Sequence, residues 1–553
     1  MKVSEYIVNK LIEYKVTDAF GIPGGVILKL LYAMEKSKVI MPHLMLHEQS
    51  AGFAACGYAQ SSGKIGVAYA TRGPGITNMI TCIAEAYQES LPVLFITAHG
   101  NRIETETRFE SNQELEIVNN VYNITKYAVS IDDIGNIGTE INKACYMALE
   151  GRKGPVLIDI LSSLFDMDMV ENEIYGLQEI GREDDNSAHI IKEILKNVQK
   201  AKRPIILIGD GMRNLISLKE QGKLEDNLKI PIVSSRGAQD ILAQSAYYYG
   251  YIGSHGTRYS NFILAKADLI IVLGNRMAFP LKSKSYEPIL DQAKIIRLDI
   301  DEKEFSRNIK NTENYKINLK EIIQFIIQKN IIIQAEEEWI SICREVKKEL
   351  QEYDKQIPVQ KLEEYLKKQV TEKIYVSDIG NNEFYVSRAY ESVHPKGMLL
   401  CSKAYGTLGV AVSRSIGAYY AIHKNVVCII GDQGFQYNAQ DLYYIAKHHL
   451  PITVIVLNNR SSGMISDHEK RIFGQKLVHV DEENDYYVPN LEGIARAYGF
   501  DYTTECDKVN VNFLYEIVYS KDISLTPNLP KGNECQNMTP LIEVTKYNYI
   551  NQL

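Results

Sequence analysis

Short apolar runs rich in β-branched residues recur along the whole chain, and segments of helical periodicity separate them. IGVAYA (65–70), PVLFITA (92–98), PVLIDI (155–160), PIILIG (204–209), PIVSS (231–235), LIIVLG (269–274), IIRLDI (295–300), IYVSD (374–378), VVCIIGD (426–432) and ITVIVLNN (452–459) carry the pattern. Runs of this length, without polar alternation, predict buried parallel strands joined by helices. The expected class is α/β, with helices on both faces of doubly wound, mainly parallel sheets. A chain of 553 residues is too long for one core, so about three domains are expected. Periodicity is lost over 163–190, a polar linker candidate, and 329–358 holds a charged helix around Trp339. These breaks place the expected domains at 1–165, 186–330 and 356–553.

The net charge of -8 leaves no excess of Lys and Arg to neutralise phosphates, which argues against a nucleic-acid partner. The eight cysteines show no CxxC pair, so neither a zinc knuckle nor a redox dithiol is indicated. The first residues, MKVSEYIVNKLIEYKV, read as an amphipathic helix without the apolar core of a signal peptide. No apolar stretch approaches the roughly 18 residues of a membrane span. A reduced cytoplasm is the expectation.

The chemistry begins at Val426, in VVCIIGDQGFQYNAQDLYYIAKHHLPITVIVLNNRSSGM. This reads as a strand, a Gly-rich turn, a helix, a second strand and two asparagines. Asp432 ends the first strand and Asn459 ends the second, 27 residues later. A βαβ unit brings both side chains to one rim of a parallel sheet, where ligands bind. One carboxylate, one amide oxygen and a loop carbonyl make a hard-oxygen site suited to Mg²⁺, which also takes phosphate oxygens. Backbone N–H groups at the helix start can hold the rest of a diphosphate. A metal-free βαβ unit with chance polar ends is the bland alternative. The literal tripeptide Gly209-Asp210-Gly211 serves as a control: no Asn-Asn pair lies 27 residues after Asp210. The paired spacing carries the weight, and the tripeptide does not.

The Val426 segment resembles the GDG…NN signature of thiamine-diphosphate enzymes. The resemblance implies Asp432 and Asn459 as metal ligands, Ser461 as donor of a backbone carbonyl, and Gly431, Gln433, Gly434 and Phe435 against the diphosphate. Gln433 stands where the family has Gly. A side chain at that turn is expected to crowd the phosphate or to demand an unusual backbone angle. Gly463 and Met464, just past the asparagines, join the expected cofactor contacts.

Upstream, HEQSAGFAACGYA, the TRGPG turn at 71–75, AYQESLPVLFITA at 86–98 and FGIPGG at 20–25 resemble the pyrimidine-binding domain of acetolactate synthases. Thiamine chemistry needs a carboxyl group hydrogen-bonded to N1′ of the cofactor, favoured by an apolar setting. Glu48 opens a helix of small residues and matches that acid. Read alone, a helix-start Glu is more often a cap or surface acid. The same carry-over places Gly25 near the reaction centre and Gln113 as the active-site Gln. Arg72 and Asn112 depart from the family's Ser and Phe, and both are expected to alter the pocket for a second substrate.

The resemblance runs nearly end to end. VSDIGNNEF (376–384), with Asn381, fits the first strand of the diphosphate-binding domain. YGTLGVAVSRSIGA (405–418), with Gly406, fits the segment before the GDG strand. Leu408 takes the place of the bulky aliphatic residue that props the cofactor in its bent form; an ordinary core leucine is the other reading. The middle unit resembles the central domain of the same family, which holds a non-redox FAD, and Gly209, Gly211, His255, Gly274, Arg276 and Asp299 fall at matching places. NRMAFPLKS departs from the family run there, so FAD and a structural spacer stay open as alternatives. A homodimer or homotetramer with active sites between chains is implied.

The implied reaction is decarboxylation of a 2-oxo acid, usually pyruvate, with transfer of the acyl unit to a second carbonyl compound. Acetolactate synthases carry a Trp-Gln pair shortly after the asparagines, and this chain reads SSGMISDHEKRIFGQ; its one tryptophan is Trp339. A divergent carboligase is expected, with a keto sugar among the possible acceptors. His468, Glu469, Lys470 and Arg471 either bind a polar acceptor or form a solvated loop. A simple decarboxylase releasing an aldehyde and a catalytically silent subunit are the alternatives.

Overall fold

The computed structural model describes residues 1–100, 113–169, 186–277, 286–307, 309–353, 356–402, 404–475 and 478–542. Three six-stranded sheets organise it. The first contains β1 (Asp18–Gly21), β2 (Met41–Leu44), β3 (Gly66–Tyr69), β4 (Val93–His99), β5 (Tyr127–Ile131) and β6 (Val156–Leu161), ordered β2-β1-β3-β4-β6-β5. The second contains β7 (Pro204–Ile208), then, after the short β8 (Leu228–Lys229), β9 (Ile232–Ser235), β10 (Tyr248–Ile252), β11 (Leu269–Leu273), β12 (Lys294–Asp299) and β13 (Thr312–Lys316). Its order is β10-β9-β7-β11-β12-β13, and β8 pairs separately with β14 (Ile333–Gln334). The third contains β15 (Lys373–Ser377), β16 (Gly397–Cys401), β17 (Val426–Gly431), β18 (Ile452–Asn458), β19 (Asp501–Thr503) and β20 (Phe513–Val518), ordered β16-β15-β17-β18-β20-β19. Pairing is parallel throughout the first two sheets and from β15 across to β19. The α/β class with parallel sheets is as expected, and every run read as a strand is one.

Two compact units hold these sheets. One is Met1–Gly181, Glu372–Asn382 and Leu400–Val518; the other is Arg182–Thr371, Glu383–Leu399 and Tyr519–Leu553. Inside the first unit, the helix Glu48–Ser62 runs against the helix Ala411–Ile422. Glycines make the approach possible. A Cβ on Gly57 would overlap the Arg414 carbonyl oxygen, and one on Gly417 would overlap that of Ala54. Beside this seam the Arg414 guanidinium meets Glu85 at 2.5 Å, both side chains 0% exposed. Glu85 also accepts from the Thr407 hydroxyl at 2.5 Å.

In the second unit the charged helix Glu337–Leu350 is amphipathic. Trp339, Ile340, Cys343, Val346 and Leu350 join the core, and Trp339 Nε1–H donates to the Pro204 carbonyl at 3.2 Å. The stretch read as a boundary is therefore part of a core. The literal Gly209-Asp210-Gly211 is structural here: Asp210 accepts from Arg213 Nε at 2.7 Å, and Arg213 grips both oxygens of Asp240 at 2.8 and 2.6 Å. Among the described residues no helix is long and apolar enough to cross a membrane.

Candidate active site

The third sheet switches direction between β15 and β17: the chain moves outward to β16 and then returns to the other side of β15. Ligands bind at such a point, beyond the carboxyl ends of the strands. The loops after β15, β17 and β18 leave from that rim. Gly431 pairs in register with Leu457, so Asp432 and the two asparagines emerge side by side.

Asp432 is buried, and its two oxygens differ. Oδ1 accepts from the Gln433 N–H at 2.8 Å and the Tyr486 hydroxyl at 2.9 Å. Oδ2 is buried with no partner among the described residues. Burial pushes this carboxyl up to about 6, against the pull of the Tyr486 hydroxyl, the Gln433 N–H and the nearby N–H dipoles of Arg460 and Ser461. An orphaned carboxylate oxygen is costly unless something positive meets it.

The paired asparagines have separate tasks. Asn458 Nδ2 donates to Glu516 on β20 at 2.6 Å, and its Oδ1 accepts from the Arg460 N–H at 2.9 Å. That bond holds Arg460 in a left-handed conformation, φ 51°, unusual for a residue with a side chain. The chain then turns so that Asn459 Oδ1 accepts from the Ser461 N–H at 3.2 Å. Ser461 is buried, and its hydroxyl is fixed on the Val480 carbonyl at 2.6 Å. The donor set is one carboxylate, one amide oxygen and one main-chain carbonyl, which fits a hard divalent cation. Among the described residues no group of three His, Cys, Asp or Glu gathers as a metal site.

Gln433 does not force an unusual angle. It is the second residue of the helix Asp432–Tyr437 and has no positive φ, so the expected backbone demand is absent. The glycine requirement sits one residue later. A Cβ on Gly434 would overlap Asp378 Oδ2 and lie 3.3 Å from Leu408 Cδ1. Asp378 is buried and pushed up to about 7 by that burial, although N–H groups of Gly409 and Val410 bond to it. These bonds fix the turn that carries Gly406 and Leu408. A Cβ on Gly431 or Gly406 would meet open space, leaving the main chain there accessible to a phosphate. Gly463 lies within 3.0 Å of the Asn459 and Asn381 amides, measured from where its Cβ would be. Phe435 is fully buried, so its ring is a core side chain; Met464 is exposed.

A second cluster forms on the first sheet, around the turn 71–75. Glu48 is the first residue of its helix, and Oε2 accepts from Asn78 Nδ2 at 2.9 Å. A Cβ on Gly75 would stand 3.5 Å from Glu48 Oε1, one on Gly24 would overlap Thr71, and one on Gly73 would overlap the Gln113 carbonyl. The turn thus gathers Glu48, the 24–25 glycines and Gln113, and Gly25 itself faces open space. Arg72 pairs with Glu114, which also accepts the Gly100 N–H at 2.9 Å. The departing arginine is therefore a brace between the turn and the Gln113 segment. Asn112 lies outside the described residues. Ser50, two residues past Glu48, donates to Asn438 Oδ1 at 3.1 Å, at the end of the helix that Asp432 opens.

No local sequence pattern marks Asn78, Asp378, Glu516 or Tyr486, which reach their partners from distant segments. The stretch read as an acceptor loop is a helix, Gly463–Phe473, with only Ser466 buried; Arg471 Nη2 and His468 Nδ1 lie 2.5 Å apart on it.

In the second unit the flavin candidates lie at or just past the ends of β7, β10, β11 and β12. A Cβ on Gly209 or Gly211 would strike Gly274, whose φ is +59°. These glycines answer to their own close packing. The His255 ring packs, tilted by 35°, against Phe384 at 4.3 Å between centroids, the Arg276 carbonyl accepts from Arg307 Nη1 at 3.1 Å, and Asp299 Oδ1 accepts from the Asp301 N–H at 3.0 Å.

Three family models match the chain. The thiamine pyrophosphate enzyme N-terminal TPP binding domain covers residues 1–120, the central domain 191–326, and the C-terminal TPP binding domain 378–514. The acetolactate synthase large subunit of Cyanidium caldarium is 30% identical over 526 residues, covering 89% of this chain and 87% of that one. That of Lactococcus lactis subsp. lactis is 28% identical over 561 residues, covering 97% and 96%. A probable acetolactate synthase large subunit of Methanococcus aeolicus is 30% identical over 533 residues, covering 90% and 87%.

Proposed function

The chain belongs to the thiamine pyrophosphate enzymes, with acetolactate synthase large subunits among its relatives, and from that premise we propose that it decarboxylates a 2-oxo acid such as pyruvate and transfers the acyl unit to a second carbonyl compound. The observation that carries the reading is the buried, unpartnered Asp432 Oδ2 beside Asn459 and Ser461. Asp432, Asn459 and the Ser461 carbonyl would hold Mg²⁺, and the turn at Gly431–Gly434 would receive the diphosphate. Leu408, fixed by the Asp378 turn, would support the bent cofactor, with Gly406, Asn381, Gly463 and Met464 around it. When bound, thiamine diphosphate supplies the electron sink that lets a 2-oxo acid lose CO₂. Glu48 would hold a proton at N1′, oriented by Asn78, while Gly25 and Gln113 border the reacting carbonyl.

Domains at 1–165, 186–330 and 356–553 would divide this labour, with the helix Glu337–Leu350 packed into the core of the central one. The active sites are completed between chains of a homodimer or homotetramer. Exposed apolar residues near both clusters support this: Leu44 and Leu46 precede Glu48, and Ile472 and Phe473 end the helix after the metal loop. Such surface calls for a partner. The central unit serves as a structural domain; the self-packed glycines 209, 211 and 274 favour this over a flavin site. Sedimentation of the purified protein and its visible absorbance check both statements.

The test is incubation with pyruvate, thiamine diphosphate and Mg²⁺, alone and with a panel of carbonyl acceptors, read by mass. Acetolactate or an acetyl-extended acceptor is the expected product. Acetaldehyde alone across the panel removes the carboligase reading, and no CO₂ release removes the whole proposal.

A further inference from the structure

The chain after the helix Gly463–Phe473 returns to the metal loop and clamps it. Ser461 and Asp481 form an isolated antiparallel bridge, and the Ser462 N–H donates to the Val480 carbonyl at 2.9 Å. Asp481, buried, then turns the chain. Its carbonyl accepts the N–H groups of Asn484 at 2.8 Å and Tyr486 at 3.0 Å, and its Oδ1 accepts Asn484 Nδ2 at 2.6 Å. Asp485 adopts a left-handed φ of 65°. The outcome is a Tyr486 side chain 6% exposed, aimed at the rim, with its hydroxyl on Asp432 Oδ1 at 2.9 Å.

We infer that Tyr486 is a positioning residue for the divalent metal, holding one oxygen of Asp432 so that the other is presented to the cation. The inference rests on the proposed role of Asp432. A carboxylate with two free oxygens turns about its Cβ–Cγ bond and samples several ligand geometries. A phenol donor on one oxygen fixes the plane and leaves the in-plane lone pairs of the other oxygen for the metal. The Gln433 N–H shares the same oxygen, so the asymmetry between Oδ1 and Oδ2 is built from two sides. Partners of this kind, hydrogen-bonded to a metal ligand, commonly change metal affinity by about 10–100-fold.

The experiment titrates Mn²⁺ into the protein with thiamine diphosphate and reads free Mn²⁺ by electron paramagnetic resonance. Tyr486→Phe is expected to weaken Mn²⁺ binding about tenfold and to change the bound-ion spectrum, while the unfolding midpoint of metal-free protein stays near wild type. The exposed neighbour Tyr487→Phe is expected to bind as wild type. Equal Mn²⁺ affinity for Tyr486→Phe and wild type, with the same bound-ion spectrum, overturns the inference and leaves the metal reading intact. Wild-type protein that binds no Mn²⁺ overturns both. Should Tyr486→Phe not fold, Asn484→Ala loosens the same turn and is expected to weaken binding by a smaller factor; unchanged affinity there also overturns the inference.

Discussion

Replacing Glu48 by Gln is expected to lower kcat with pyruvate by roughly 10²–10⁴-fold, the usual size of a lost acid–base group, while thiamine diphosphate still binds. The variant keeps the shape of the side chain. Its amide oxygen can still accept from Asn78 Nδ2, which now bonds Oε2 at 2.9 Å, so the turn 71–75 should stay in place. What disappears is a group able to share a proton with N1′. Steady-state kinetics and calorimetric titration of the cofactor, run on the same preparation, separate the two effects. A turnover number equal to wild type would remove Glu48 from the mechanism. Loss of cofactor binding in parallel would make it a binding residue only.

Glu85→Ala is expected to cost about 3–5 kcal/mol of stability, because it strands a buried guanidinium. Arg414 is wholly enclosed beside the helix seam; besides Glu85 it bonds Gln60 Oε1 at 3.4 Å. The loss reaches the candidate site as well. Thr407, which donates to Glu85, precedes Leu408. Cofactor affinity should therefore fall along with the urea midpoint. Removing both charges, with Glu85→Leu and Arg414→Met, is expected to recover most of the stability, since apolar substitutes of similar volume often match a buried pair. A single variant as stable as the parent would mean that water reaches Arg414.

The legible and illegible parts of the molecule differ in kind. Central strands such as β7, β11, β17 and β18 are buried along their length, so their β-branched composition announces them. Edge strands do not announce themselves. β13 is TENYK, with no buried residue, and β2 is MPHL, half-exposed; neither has an apolar run to read. Gln433 shows a different limit. Sequence matching places the glycine requirement at the third residue of the motif, but backbone angles show that position to be ordinary helix. The need for a glycine arises from Asp378, in the loop after β15, whose carboxyl fills the space beside Gly434. Asn78, Glu516 and Tyr486 are invisible for the same cause: each acts on a partner tens of residues away, and no local pattern records that meeting.

The glycine seam between Glu48–Ser62 and Ala411–Ile422 sets which parts of the site can vary. Where main chain touches main chain there is no side chain to yield, so the two helices cannot slide or re-space by rotamer changes. The start of one helix carries Glu48, and the turn before the other carries Leu408. The spacing between those elements is therefore inherited with the fold and closed to adjustment by point substitution. Selection for a new substrate has to work elsewhere, on surfaces free of such contact. The helix Gly463–Phe473 beside the metal loop has only Ser466 buried, and beyond Met464 it is open to such change: its exposed positions, such as Ile465 and Arg471, can be exchanged one at a time without disturbing the gearing behind them.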